Sequence, residues 1–189
     1  MPNGKTSLPW GTCPCLRLKS KDMAQFTRED IIRLLEDRQA RGADLYLKGA
    51  DLSGVDLSGL DLHNAHLRQA NLYTTDLHDA NLSGADLVEA NLTLCDLRKT
   101  DLYQANLTGA DLTGANLTFA HLAYADFTAA LVCDANLTFA DARHANFTLA
   151  ALGNSNLREA KLNGAIIEQA DLTGAKLQGT IMPNGRKHE

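Results

Sequence analysis

From Ala50 onward the chain repeats one pattern: a small apolar residue, a polar residue, a large apolar residue, and two more. The stretch Ala80-Asn81-Leu82-Ser83-Gly84-Ala85-Asp86-Leu87-Val88-Glu89 holds two copies back to back. Neither regular element gives residues five apart a common environment. Five residues of α-helix advance about 500°, so successive leucines share no face. Five residues of strand is an odd step, which turns successive leucines to opposite faces. The pattern predicts a coil whose own repeat is five residues. Each repeat is a short extended piece with both apolar ends pointing inward, followed by a turn.

The frame runs unbroken to about Met182, with large apolar centres from residue 52 to residue 177, which is 26 repeats. Leu fills 21 centres, the exceptions being Phe127, Val132, Ala142, Phe147 and Ile167. Ala precedes the centre by two residues in 20 repeats, with Val55, Leu60, Thr75, Cys95, Thr100 and Ser155 among the rest. Such uniform sizes suit a narrow core built in identical layers. Asp or Asn fills the polar position in 19 repeats. Gly fills the second turn position in eight repeats, as a type II turn prefers. Elsewhere that position holds Glu89, Lys99, Phe119, Tyr124 or Phe139, which suit a turn without positive φ, so mixed turn types are expected.

Irregularities set the size of the coil. Ala-Asn-Leu-Thr-Phe-Ala occurs at 115–120 and again at 135–140, and Phe127-Thr128 is echoed by Phe147-Thr148. Both echoes are 20 residues apart, which fits four repeats per coil and a four-sided column. The small centres Val132 and Ala142 fall in the same window as Phe147, as volume compensation within a tight layer requires. Counting a partial first coil from Leu45-Tyr46-Leu47-Lys48-Gly49, about seven coils at ~4.8 Å spacing stand on the order of 30 Å tall.

This pattern resembles the pentapeptide repeat family, whose motif is A(D/N)LXX, over residues 45–182. The resemblance implies an all-β solenoid, a right-handed quadrilateral parallel β-helix, and implies little about function. The departures are Leu131-Val132-Cys133, Asp141-Ala142-Arg143, Ala151-Leu152-Gly153 and Ala165-Ile166-Ile167, which leave the frame intact.

The flanks are of other kinds. Residues 1–25 read as a basic, disordered tail with no acid before Asp22, for which a transit peptide is the compositional alternative. Met23 opens a stretch that reads as a natural start. Residues 26–42 read as a capping helix. Thr27 is its N-cap, Asp30 the box-like partner, Phe26 and Ile31 the staple, and Gly42 the stop. Ile31, Leu34 and Leu35 form its apolar stripe, suited to cover the bare first coil. Residues 183–189 read as a terminal turn and tail, leaving the C-terminal end less protected. With no apolar run of membrane length and no signal-peptide core, a soluble cytoplasmic protein is expected.

Candidate chemistry is sparse. Cys95 takes an inward position and Cys133 a turn, while Cys13 and Cys15 lack usual zinc spacing, so free thiols are expected. A column filled by its own Ala and Leu leaves no interior pocket. His121, between Asp101 and Asp141 in its ladder, reads as a charge-balancing member; His63, His66 and His78 read as solvated surface. No catalytic residue, cofactor or metal site is expected, and the protein reads as a non-enzyme.

Charge supplies one lead. Residues 50–182 carry 16 acids and seven bases, and 50–115 alone carry ten and three. Asp56, Asp76 and Asp96 stack as a candidate acidic face, read as solvated side chains that repel weakly. A net-negative column is not expected to bind nucleic acid directly. Some pentapeptide repeat proteins resemble DNA and bind gyrase, so a DNA-mimicking topoisomerase-binding protein is the alternative reading. The preferred reading is an interaction scaffold with an unidentified protein partner, a homodimer included. Its candidate surface is aromatic: Phe119 and Phe139 on one edge, with Tyr124 and Tyr103 on the adjoining face.

Overall fold

The structure is a computed structural model that describes residues 26–42 and 44–189. The basic segment 1–25, with Cys13 and Cys15, lies outside the described residues.

Each extended piece is so short that it makes a single parallel bridge, through its polar residue, to the residue 20 further on. Asp51 bridges Asn71, Asp56 bridges Asp76, Asp61 bridges Asn81 and His66 bridges Asp86. Four successive pieces therefore make one circuit, and the fifth returns beneath the first. Three backbone bonds recur from coil to coil as far as the last. The Leu57 N–H donates to Asp76 O (2.7 Å), the Asp76 N–H to Val55 O (3.1 Å), and the corner N–H of Gly54 to Tyr73 O (2.9 Å). Each corner closes on itself, as where the Ala85 N–H reaches Leu82 O at 3.0 Å.

The corners correct the expectation of mixed turns. The second turn residue has positive φ throughout the frame, and 18 of these are not glycine, with φ from 54° to 62°. Glu89, Lys99, Phe119, Tyr124 and Phe139 all adopt it. The left-handed conformation costs an L-residue roughly 1–2 kcal/mol. Here it is imposed by the next coil and by the corner's own closure. The Phe119 N–H must reach Thr138 O (3.1 Å), while the neighbouring Ala120 N–H reaches back to Leu117 O (3.0 Å). Both bonds would be broken by relaxing the corner.

The core is a stack of buried Leu and Ala layers. Phe127 and Phe147 lie one above the other, ring centroids 4.8 Å apart and 12° from parallel. The fully buried Val132 and Ala142 share the coil of Phe127 and make room for the rings. Polar members of the small column are also buried, and all but Ser155 bond to the carbonyl 23 residues earlier. Thr75 donates to Leu52 O (2.7 Å), Thr100 to Leu77 O (2.8 Å), and the Cys95 thiol to Leu72 O (2.7 Å). The buried Ser155 hydroxyl has no such partner among the described residues.

Helix α1 spans Arg28–Arg41. Thr27 and Asp30 bond reciprocally in a capping box, and Gly42 ends the helix at φ 62° with its N–H on Arg38 O. Ile31 is fully buried and Phe26, Leu34 and Leu35 pack against the column. The first coil has no coil above it to use its carbonyls. Asp51 O accepts from the Phe26 N–H (3.2 Å), Asp56 O and Ser58 O from the Arg28 guanidinium (2.8 and 3.0 Å), and His63 O from Arg38 (2.8 Å). At the other end the chain folds back: Ile181 pairs antiparallel with Lys187, and the His188 N–H reaches Thr180 O at 2.8 Å. This hairpin covers one side only, and Ile167, Leu172 and Leu177 stay partly buried.

Candidate partner surface

Outward chemistry begins with the Asp/Asn ladder. Its side chains hold the turn that follows. Asp51 Oδ1 accepts from the Ser53 N–H (3.2 Å) and hydroxyl (2.7 Å), and Asn106 Oδ1 accepts likewise from Thr108 (3.0 and 2.7 Å). These are Asx-turns, which reading the position as solvated left out. Asparagines also donate up the ladder, as Asn71 does to Asp51 (3.0 Å) and Asn81 to Asp61 (3.0 Å).

The candidate acidic face, Asp56, Asp76 and Asp96, is a continuous ladder in which every member has a cationic or imidazole neighbour. Arg28 of α1 pairs with Asp56 at 2.8 Å, His78 with Asp76 at 2.7 Å, and Arg98 with Asp96 at 2.6 Å. The solvated ladder is thereby corrected. Asp56 is held below the usual carboxylate range by the Ser58 hydroxyl and N–H, and Asp96 by the Arg98 guanidinium. His78 is raised by its hydrogen bond to Asp76. Two other histidines are engaged too: the turn residue His63 lies 2.8 Å from Asp61 Oδ1, and His66, at a bridge position and not in a turn, stacks on Tyr46 with ring centroids 4.4 Å apart. His121 pairs with Asp101 at 3.0 Å, whereas Asp141 is taken by Arg143 at 2.7 Å.

Asp76, His78 and Asp96 bring three ligand atoms within 4.8 Å of one another, the one such group among the described residues. Asp96 meets Arg98 through both oxygens, with Nε 2.8 Å from Oδ1 and Nη2 2.6 Å from Oδ2, so a cation there would displace a formed ion pair. Beside it lies an open basin of about 470 Å³ lined by His78, Asp79, Arg98, Lys99, Thr118 and Phe119. Burial pushes the Cys95 thiol up to about 12, so it is not a nucleophile. Cys133 is half-buried, and both thiols are free.

The candidate aromatic residues occupy two neighbouring corners. Phe119 and Phe139 stack with ring centroids 4.9 Å apart and 5° from parallel, yet remain 56% and 48% exposed. Tyr124, 53% exposed, stacks on His144 at 4.9 Å. Tyr103, also in a turn, is half-buried, stacked on His121 at 5.6 Å and edge-on to Tyr124 at 5.7 Å. In the corner of Tyr124, Ala123 is buried. Exposed leucines, Leu94, Leu131 and Leu149, stand on other parts of the column.

A family model for pentapeptide repeats matches residues 41–79, 75–114, 110–148 and 143–179, and the chain belongs to the pentapeptide repeat family. Members of this family fold as right-handed quadrilateral β-helices, the architecture of the four-sided column described above. Among solved structures, the chain is 30% identical to HetL, a pentapeptide repeat protein involved in heterocyst differentiation regulation from the cyanobacterium Nostoc sp. strain PCC 7120, over 78% of this chain and 86% of that one, with a TM-score of 0.43. It is 38% identical to a pentapeptide repeat protein from the Arabidopsis thaliana thylakoid lumen, over 51% of this chain and 64% of that one, with a TM-score of 0.44. QnrB1, a plasmid-mediated fluoroquinolone resistance protein, is 18% identical over 69% and 76% of the two chains, with a TM-score of 0.51, a likeness of fold. No curated protein matches the chain. No helix among the described residues is long and apolar enough to cross a membrane.

Proposed function

We propose that the protein is a non-enzymatic scaffold. It is a column of about seven coils, covered at one end by α1, that presents a side-chain surface to a protein partner. One observation carries the reading: Phe119 and Phe139 stack on an outer edge while about half of each stays exposed. A large apolar residue at a corner serves no core, and contiguous exposed aromatics mark contact surfaces. Tyr124 extends the surface onto the next corner, and Tyr103 supports it from beneath.

The topoisomerase-binding alternative draws on acidity, and the pairing of Asp56, Asp76 and Asp96 with Arg28, His78 and Arg98 weakens the acidic stripe that DNA mimicry needs. The test is partner capture from the native host with the parent and with Phe119→Ser/Phe139→Ser, alongside sedimentation and a gyrase supercoiling assay. Loss of capture or of self-association, with the circular dichroism unchanged, is the expected result. Undiminished capture and sedimentation would remove the edge from the binding surface. Inhibition of gyrase that survives the double change would favour the alternative.

A further inference from the structure

Charges do not cancel around the Phe119–Phe139 edge. On the two faces that meet there, the acids between residues 96 and 176 are each engaged. Asp96 holds Arg98 (2.6 Å), Asp101 holds His121 (3.0 Å), Asp141 holds Arg143 (2.7 Å) and Glu159 holds Lys187 (3.3 Å). Lys99, Arg158, Lys161 and Lys176 on the same faces are exposed and make no ion pair among the described residues. A column that is acidic as a whole thus carries unpaired bases around its one stacked, exposed pair of phenylalanines among the described residues.

Their placement is specific. Lys99 occupies the same corner one coil before Phe119. One coil beyond Phe139, whose N–H donates to Arg158 O at 3.0 Å, the corner is Arg158-Glu159; Glu159 takes the position of Phe139 and is held by Lys187 at 3.3 Å, while Arg158 beside it has no ion pair among the described residues. Beside the rings stand the neutral Asn116, Thr118, Asn136 and Thr138. Lys99 and Arg158 are therefore three coil steps apart, about 14 Å at the usual ladder spacing, which an extended peptide crosses in about four residues.

We infer that this edge binds an acidic polypeptide segment in extended conformation: a large apolar side chain on the Phe119–Phe139 pair, flanked by carboxylates that meet Lys99 and Arg158. The inference rests on the partner-surface reading above and adds the chemistry of the partner. Single-stranded nucleic acid is the competing polyanion. Stacking against each other takes one face of each ring away from bases, and the net negative charge of the whole column repels a long polyanion. A short segment feels mainly the charges within about one Debye length, roughly 8–10 Å.

The experiment is selection from a displayed random dodecapeptide library on the full-length protein, counter-selected on Phe119→Ser/Phe139→Ser. Enriched peptides are expected to carry a large apolar residue flanked by acids. A labelled representative should bind at least about tenfold more weakly to Phe119→Ser/Phe139→Ser, and several-fold more weakly to Lys99→Glu/Arg158→Glu or at about 0.3 M salt. Selection on Lys99→Glu/Arg158→Glu should enrich basic peptides instead. No enrichment, enrichment of neutral or basic peptides on the parent, or an affinity unmoved by Lys99→Glu/Arg158→Glu overturns the inference. Tighter binding of labelled oligo-dT than of the peptide overturns it in favour of nucleic acid. If the serine variant abolishes capture of the native partner while the selected peptides show no acidic bias, the partner surface stands and this inference alone falls.

Discussion

At the scale of the residue, the Asp/Asn position does two jobs that its exposure conceals. One oxygen closes the following turn, and what remains faces the ladder. Asp and Asn share that oxygen, which is why they interchange along the column. Asp76 Oδ1 accepts from the His78 N–H (3.1 Å) and lies 2.7 Å from His78 Nδ1. Asp76→Asn keeps the acceptor and is expected to change stability by less than about 1 kcal/mol. Asp76→Ala removes it and is expected to cost about 1–2 kcal/mol in denaturant unfolding. Equal losses in the two variants would show that charge, and not the Asx-turn, is what Asp76 supplies. The sequence carried a sign of this bond that went unused: Ser or Thr stands two residues after the Asx in Asp51-Leu52-Ser53, Asn81-Leu82-Ser83 and Asn106-Leu107-Thr108. His78 adds a titration. Its folded pKa is raised by Asp76, so its contribution is complete below the unfolded value, near ~6.5, and is lost as pH rises through the folded one. An imidazole titration by NMR should place the His78 midpoint above that reference, and Asp76→Ala should bring it down. Asp51, Asp56, Asp96 and Asp141 act in the other direction, since their lowered values make their contribution vanish as acid protonates them.

At the scale of the element, the five-residue unit was legible and its corner was not. Periodicity alone excludes helix and strand, and the 20-residue echoes of Phe119 by Phe139 and of Phe127 by Phe147 match the bridges in the column. The corner conformation is set by bonds to residues about 20 positions away, and local preference at Glu89 or Phe119 points the other way. Tertiary register overrides intrinsic propensity here. Ala129 offers a clean measure of the cost, being exposed at φ 56° with only a methyl group to lose. Ala129→Gly relieves the left-handed strain and is expected to stabilise the protein by about 0.5–1 kcal/mol, less any gain in unfolded-state entropy. Destabilisation by a comparable amount would mean the corner is not strained at Ala129. The half-buried setting of Tyr103 was out of reach for a related reason: His121 and Tyr124 lie about 20 residues on, and only the closed coil brings them to its ring.

At the scale of the whole molecule, the column is a one-dimensional stack in which each coil is held by the coils above and below. Its middle coils have two neighbours. The first has α1, with Ile31 buried and Arg28 and Arg38 on its open carbonyls. The last has a short hairpin on one side, leaving Ile167, Leu172 and Leu177 partly exposed. Amide hydrogen exchange should therefore be slowest for coils between about Leu97 and Phe147, and faster from Ile166 to the C-terminus, because local opening costs least where neighbours are fewest. Leu97, fully buried in the middle, separates this account from a uniformly cooperative one. Leu97→Lys places an unpaired charge in a layer with no acid to pair with it and whose buried Cys95 and Thr100 are already bonded to carbonyls, a change costing several kcal/mol. In a stack of nearest neighbours the damage should centre on the coils around Leu97, with exchange rising first between residues 77 and 117, one coil to either side. Exchange that rises equally along the whole column would show that the protein opens only as a single unit. Exchange that leaves the middle protected would mean that the layer relaxes around the lysine, and that the core is less tightly packed than the Leu and Ala stack implies.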